Sequence, residues 1–306
     1  MKNTMILVMF VVLNIGCKVS SVPTHLTINN FFDPPGTIKI SENLYIDQIE
    51  ITNIGWLEFL AWTSKIYGKE SNEYKSMLPD TNVWSKLHPR YTFLDTFYFR
   101  HDAYEEFPLV GVTFEQAMAY SNWRSDRVME AILIMKGIIP ARIIVPKDSI
   151  FTIKNYFNGQ YYGIQPSPKI LIYPYYSLPD TNFYTFISMI ADSINLANYK
   201  VNYKKPNPTF LLFNQNCFDN KPYKSSKLPY GPDPTMSNHC LDCKKHFIAQ
   251  LNGNVREMTN IKGIVFGNSF LDSCKTSLNI RSYDTLQLNA YTGFRNICTY
   301  KPWTNE

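Results

Sequence analysis

The chain has 306 residues, of which 45% are hydrophobic, and it carries 21 Tyr and 20 Phe. A composition this rich in rings excludes intrinsic disorder, because disordered chains lack the apolar surface that offsets their ordering entropy. The formal charge of +5 is mild, and the paired lysines Lys204-Lys205 and Lys244-Lys245 stand apart, so the concentrated basic footprint that nucleic-acid binding needs is missing.

At the N-terminus, Lys2 precedes an apolar run over 5–15 that only Asn14 interrupts, and Gly16-Cys17 follows. A basic start, a short apolar stretch and a small residue form the layout of a secretory signal peptide. The run is well below the ~20 residues that a helix needs to span a bilayer. The string 13–17 (LNIGC) resembles a bacterial lipobox, with Asn14 where an apolar residue is usual. The expectation is a signal peptide over 1–16, a lipidated Cys17 and a Ser- and Pro-containing tether over 17–37. Acyl chains on Cys17 would hold the protein to a membrane by burying methylenes, each contributing ~0.8 kcal/mol. An ordinary signal cleaved after a small residue is the alternative, and in both cases the protein is exported.

Residues 38–51 alternate in the manner of a strand pair or a strand with a bulge. Thr52-Asn53 offers an N-cap, Ile54, Leu57, Leu60, Ala61 and Ser64 follow at helical spacing, and Gly68 is a stop. The polar, aromatic stretch 71–106 reads as loops, and 108–112 as a short apolar strand. Thr113 and Gln116 make a capping box that opens a helix over 114–135, closed by Gly137 and Pro140. Strand-like pieces at 143–145 and 170–173 precede a helix over 183–197 that starts after Pro179-Asp180-Thr181. A Pro-containing loop is expected over 202–238, with short apolar strands from Phe247 onward. No repeat or composition break divides 38–301, which reads as one domain.

Five blocks, in order, resemble the sulfatase-modifying-factor or formylglycine-generating-enzyme-like family. The first is 47–53 (DQIEITN), similar to that family's E-V-T-N. The second is 107–117 (FPLVGVTFEQA), running on to Tyr120, Asn122 and Trp123, similar to P-V-V-G-V-S-W-E-x-A with its later Tyr and Trp. The third is 176–181 (YSLPDT), similar to R-L-P-T. The fourth is 251–259 (LNGNVREMT), similar to G-N-V-W-E-W-T, and the fifth is Gly293-Phe294-Arg295, similar to G-F-R. The resemblance implies an α+β, C-type-lectin-like fold, loop-rich, with a small twisted antiparallel sheet and flanking helices. Against that pattern 137–176 looks like an insertion, and the family's G-G-S reads Gly267-Asn268-Ser269. Apart from any resemblance, Gly111 and Gly253 suit tight turns, Asn254 tolerates a left-handed backbone, and Trp123 and Phe114 read as core rings.

Formylglycine-generating enzymes hold copper between two cysteines, and soft thiolates suit Cu(I). Those cysteines lie between the G-G-S and G-F-R blocks. Here 267–295 contains only Cys274, and alignment of the blocks puts Ser273 and Leu278 at the two ligand positions. The resemblance therefore implies a scaffold without the catalytic pair and assigns no catalytic residue, making the chain a pseudoenzyme. Other relatives use iron held by His and carboxylates; His88 and His101, with Asp95 and Asp102 nearby, are compatible with such a site, though polar surface histidines in loops show the same pattern. Cys240, Cys243 and His246, with Cys217, have ligand spacing for zinc, and copper or iron are the other metals considered. The same cysteines also suit disulfides in an exported protein, or redox chemistry. Rings at Tyr161, Tyr162, Tyr173, Tyr175 and Tyr176 are first expected to pack the insertion, and, if exposed, to allow sugar stacking as a third, lectin-like possibility.

The resulting expectation is a non-catalytic outer-membrane lipoprotein facing the periplasm or the cell surface. It would act as a structural or interaction module with envelope proteins as partners, similar to components of gliding-motility and type IX secretion machinery. The alternative is a metal-dependent oxidase or oxygenase with altered ligands.

Overall fold

A computed structural model describes residues 32–141, 150–202, 247–273 and 280–304. It is a mixed α+β structure with two small, mainly antiparallel sheets and helices packed against them. The alternating stretch after residue 37 forms β1 (Thr37–Ser41) and β2 (Leu44–Asp47), antiparallel with a bulge between Lys39 and Ser41. β2 pairs with β8 (Ile297–Pro302), and β8 with β3 (Ile172–Ser177), giving the order β1-β2-β8-β3. The second sheet contains β4 (Arg256–Met258), β5 (Ile264–Phe266), β6 (Ile280–Ser282) and β7 (Thr292–Gly293) in the order β6-β5-β4-β7, with β4 and β7 parallel.

The two helix starts read from capping residues form as expected. Helix α1 (Asn53–Tyr67) is capped by the Thr52 side chain, which accepts from Gly55 N–H at 3.4 Å. Gly68, at φ +87°, ends it by donating to Ser64 O at 2.9 Å. Helix α5 (Phe114–Met135) carries the full capping box: Thr113 Oγ1 accepts from Gln116 N–H at 3.1 Å, and Gln116 Oε1 accepts from Thr113 N–H at 2.7 Å. Gln116 goes further, its Nε2 donating to Ser76 O at 2.9 Å and Leu78 O at 3.0 Å. One side chain thus starts α5 and pins the loop that approaches it. Helix α7 (Thr181–Asn202) starts two residues earlier than its apolar pattern implied, with Asp180 Oδ1 accepting from Phe183 N–H at 2.7 Å.

Three expectations need correction. The stretch 71–106 is not irregular: it folds into α2 (Asn72–Lys75), α3 (Val83–Leu87), α4 (Thr92–Phe97) and two 3-10 turns, Pro89–Tyr91 and Asp102–Tyr104. Ser71, His88 and His101 each accept a backbone N–H at the start of one of these turns, so single polar residues initiate elements too short for a periodic pattern. The run 108–112 is apolar because it crosses the core. It is not a sheet strand, and only Pro108 makes a bridge, to Thr52. The stretch after residue 150 contains a short helix, α6 (Ile153–Phe157), opened by Thr152. The strand-like piece 143–145 lies outside the described residues, as does the loop expected over 202–238 apart from Asn202, which ends α7.

Burial is organised around rings. Trp56, Phe59 and Leu60 of α1 pack with Leu109, Tyr120 of α5 and Phe294. Trp56 stacks on Tyr120 with centroids 5.5 Å apart and meets Phe294 edge-on at 6.2 Å. Phe183, Tyr184 and Ile187 of α7 cover Ile38, Ile46 and Phe266. Met129 and Leu133 near the end of α5 hold Phe151, Tyr156, Tyr161 and Ile170, which tie the segment after residue 137 to the body. Among the described residues no helix is long and apolar enough to cross a membrane.

Candidate functional site

The five sequence blocks meet in the interior. Ile51 N–H donates to Phe294 O at 2.9 Å, and Leu109 N–H donates to Ile51 O at 2.8 Å, joining the first, second and fifth blocks. Asn254, at φ +60°, donates from Nδ2 to Glu50 Oε2 at 2.9 Å. Asn260 N–H donates to Pro179 O at 2.9 Å, bringing in the third block. At the centre Arg295, fully buried, gives Nε to both Glu257 carboxylate oxygens at 2.8 Å and Nη2 to Ala249 O at 2.8 Å. Glu257 also accepts from Tyr184 Oη at 2.8 Å. Burial disfavours the Arg295 cation, but the Glu257 charge and hydrogen bonds override that and hold the guanidinium protonated. Burial first, and then the Glu257 charge, push the Tyr184 hydroxyl well above its ordinary range. A second ion pair lies beside it: Asp47 Oδ2 accepts from Arg124 Nη1 and from Asn296 N–H, each at 2.8 Å.

Near the place where the resemblance implies metal chemistry, the described polar groups bind one another. Asp272 accepts from Arg256 Nε at 3.1 Å and Nη2 at 2.8 Å, from Arg281 Nη1 at 3.0 Å, and from Ser269 N–H at 2.7 Å. Burial works against its carboxylate, but the Arg256 and Ser269 hydrogen bonds prevail and pull its pKa down to about 2. Arg281 Nη2 also donates to Asn268 Oδ1 at 2.8 Å. A two-thiolate copper site does not fit the donors of this stretch, whose sequence holds one cysteine, Cys274. Cys274 and Leu278 lie outside the described residues, and Ser273 borders them.

Cys17 and the zinc candidates Cys217, Cys240, Cys243 and His246 also lie outside the described residues. His88 and His101 are described, and the structure does not bring them together with Asp95 and Asp102 as a ligand set. His88 Nδ1 accepts from Arg90 N–H at 3.2 Å, and His101 Nδ1 from Ala103 N–H at 3.1 Å. Asp95 Oδ1 accepts from Trp84 and Ser85 N–H at the start of α3. Among the described residues no three His, Cys, Asp or Glu side chains are grouped so as to hold a metal ion. Cys298 is a free thiol buried in β8. The tyrosines considered for sugar stacking do not form a platform: Tyr161 and Tyr176 are buried, and of the five only Tyr162 is strongly exposed.

Concave surface is found instead beside α1 and α5, where two clefts flank Trp123. The first, about 280 Å³, is lined by Asp47, Glu58, Tyr120, Arg124 and Arg127. The second, about 530 Å³, is lined by Phe59, Trp62, Tyr67, Glu73, Asp126 and Phe151 together with Trp123. Three buried polar atoms on these walls have no hydrogen-bond partner: Asp47 Oδ1, Trp123 Nε1 and Arg127 Nε. Arg127 is held elsewhere, pairing with Glu130 and donating to Phe151 O, and its guanidinium lies 4.9 Å from the Trp62 ring centre. Asp126 Oδ1 accepts from Ile153 N–H at 2.8 Å. Burial pushes its carboxyl up to about 6, partly countered by that hydrogen bond and by Arg127. The sequence reading missed both clefts: it gives Trp123 as a core ring, it does not single out Trp62, and no spacing rule marks two helices that will stand side by side.

No family model and no curated protein matches the chain. Two similar solved structures are the crystal structure of CarF and Treponema denticola variable protein 1. CarF is 15% identical over 85% of this chain and 87% of its own, with a TM-score of 0.41. The Treponema protein is 12% identical over 84% of each chain, with a TM-score of 0.35.

Proposed function

We propose that this chain is an exported, lipid-anchored module of the cell envelope. It would use a formylglycine-generating-enzyme-like, C-type-lectin-like scaffold for structure and interaction, without that family's redox pair. The observation that carries the reading is the fate of the family-like polar residues. Glu50, Asn254, Glu257 and Arg295 bond to one another or to main chain inside the protein, which is the behaviour of fold-holding residues. The Asp272 cluster beside the stretch that would supply the copper thiolates is likewise paired with its own arginines, and a single cysteine is left for a two-thiolate site. A role within gliding or type IX secretion machinery is the most specific form of the proposal, with envelope proteins as partners and the membrane reached through Cys17.

The test is to express the full chain in a bacterium that processes lipoproteins, crosslink it in intact envelopes and identify what it holds. A protein partner in near-stoichiometric amount is expected, together with release from the membrane fraction on Cys17→Ser. A purified protein carrying one equivalent of copper or iron and consuming oxygen would overturn the module reading in favour of an oxidase.

A further inference from the structure

We propose that the larger cleft beside Trp123 is a binding site for an organic cation, a substituted ammonium or a guanidinium group. The volume of about 530 Å³ falls within the 300–1,000 Å³ of small-ligand pockets. Its walls are rings: Phe59 and Trp123 have centroids 5.2 Å apart, Trp62 and Trp123 6.3 Å, and Trp62 and Tyr67 6.3 Å. Indole and phenol faces attract cations through their quadrupoles. The charged side chains on the described walls are both acidic, Glu73 and Asp126, and neither Lys nor Arg is among them. Rings together with the Asp126 carboxylate favour a positive guest over an anion or a neutral apolar one.

The protein already shows that these rings accept such a group. Arg127 lies over Trp62, and it lines the smaller cleft and not this one. Its charge is balanced by Glu130. Asp126 lacks an ion-pair partner of that kind among the described residues: it holds the Ile153 N–H, and burial works against its ionised form. A cation seated between Asp126 and the indoles would relieve that penalty. The inference does not depend on the envelope reading, since the cleft would be the same in a soluble or an anchored protein.

The purified full chain should be titrated by calorimetry with choline, with its uncharged isostere 3,3-dimethylbutan-1-ol, and with the blocked tripeptide Gly-Arg-Gly. Choline or the arginine peptide should bind about three- to thirtyfold more tightly than the alcohol, the range a desolvated cation–π contact supplies. Tighter choline binding identifies a small ammonium ligand, and tighter peptide binding a basic side chain of a partner. Trp62→Leu and Asp126→Asn should each weaken the cation and leave the alcohol unchanged. Asparagine keeps an oxygen for Ile153 N–H, and circular dichroism checks the fold of both variants. The proposal is overturned if neither cation binds, if the alcohol binds as well as choline, or if both folded variants keep the affinity of the parent.

Discussion

Arg295 and Glu257 form an ion pair with no access to solvent on the arginine side, Nη2 standing 2.5 Å from Oε1. The pair joins the two sequence blocks closest to the C-terminus, and three further groups depend on it. Tyr184 Oη donates to Glu257, while Ala249 O and Asp47 O accept from Arg295. Removing one partner of such a pair leaves an uncompensated buried charge, at a cost of ~3–5 kcal/mol. Arg295→Met should therefore lower urea stability by about that much. In the double variant Arg295→Met/Glu257→Leu a large part should return, because no lone charge is left. Equal losses in the single and double variants would show that the carbonyl contacts, and not the charge pair, hold this region.

Two glycines fix how the blocks approach one another. A Cβ on Gly293 would lie 2.7 Å from Leu109 O and 2.9 Å from Val255 Cγ2, and one on Gly111 would lie 2.2 Å from Asp80 O at a φ of +71°. At each glycine the nearest obstacle, Leu109 O or Asp80 O, is a backbone carbonyl that cannot swing away without cost. Gly111→Ala combines a backbone clash with a left-handed conformation and should destabilise more than Gly293→Ala. Each is expected to exceed the ~1 kcal/mol typical of point substitutions. Thermal melts of the two variants beside Gly68→Ala provide the comparison. Gly68 also has positive φ but meets nothing within 4 Å, so its alanine variant isolates the conformational part.

The sequence was most legible where a single short-range rule decides the outcome. Thr113 and Gln116 are three residues apart and form their box from local geometry alone; Thr52 and Gly68 likewise bound α1. It was least legible where long-range packing decides. Residues 108–112 have the composition of a strand, yet their neighbours are α1, Phe294 and Asp80, none adjacent in sequence. Of the short helices between 72 and 97 only α2 is opened by its own N-cap side chain, Ser71, and none has a periodic stripe to reveal it. The clefts were hidden for the same reason as the misread run. Trp62 and Trp123 come from helices about sixty residues apart, and nothing in either helix alone marks its Trp as the wall of a cleft.

Asp272 makes the fold sensitive to acid. Its folded pKa, about 2, lies below the ordinary carboxylate value of 3.8. The carboxylate therefore contributes stability that is fully present above pH ~4 and is lost as pH falls toward about 2. Asp272→Asn removes the charge paired with Arg256 and Arg281, so the variant should be less stable than the parent at neutral pH. The gap should close as both are acidified through that window. A gap that stayed constant down to pH ~2 would mean that the asparagine disturbs packing and not the ion pairs.

Asp126 has the opposite sign. Its folded pKa of about 6 lies above the ordinary 3.8, so the folded state holds the proton more tightly than the unfolded chain does. The stabilising contribution is complete below pH ~4, declines as pH rises through about 6, and changes no further above that. The groups that act on it are the Ile153 N–H, Arg127 and Glu130, with Glu73 on the wall of the same cleft. Asp126→Asn cannot titrate. Relative to the parent it should gain stability between pH ~4 and ~7, while the parent acquires a half-buried charge. Urea midpoints of parent and variant across that range measure the difference directly. A parallel pair of curves would place the Asp126 carboxylate in water, and would remove the electrostatic penalty that a bound cation is expected to relieve.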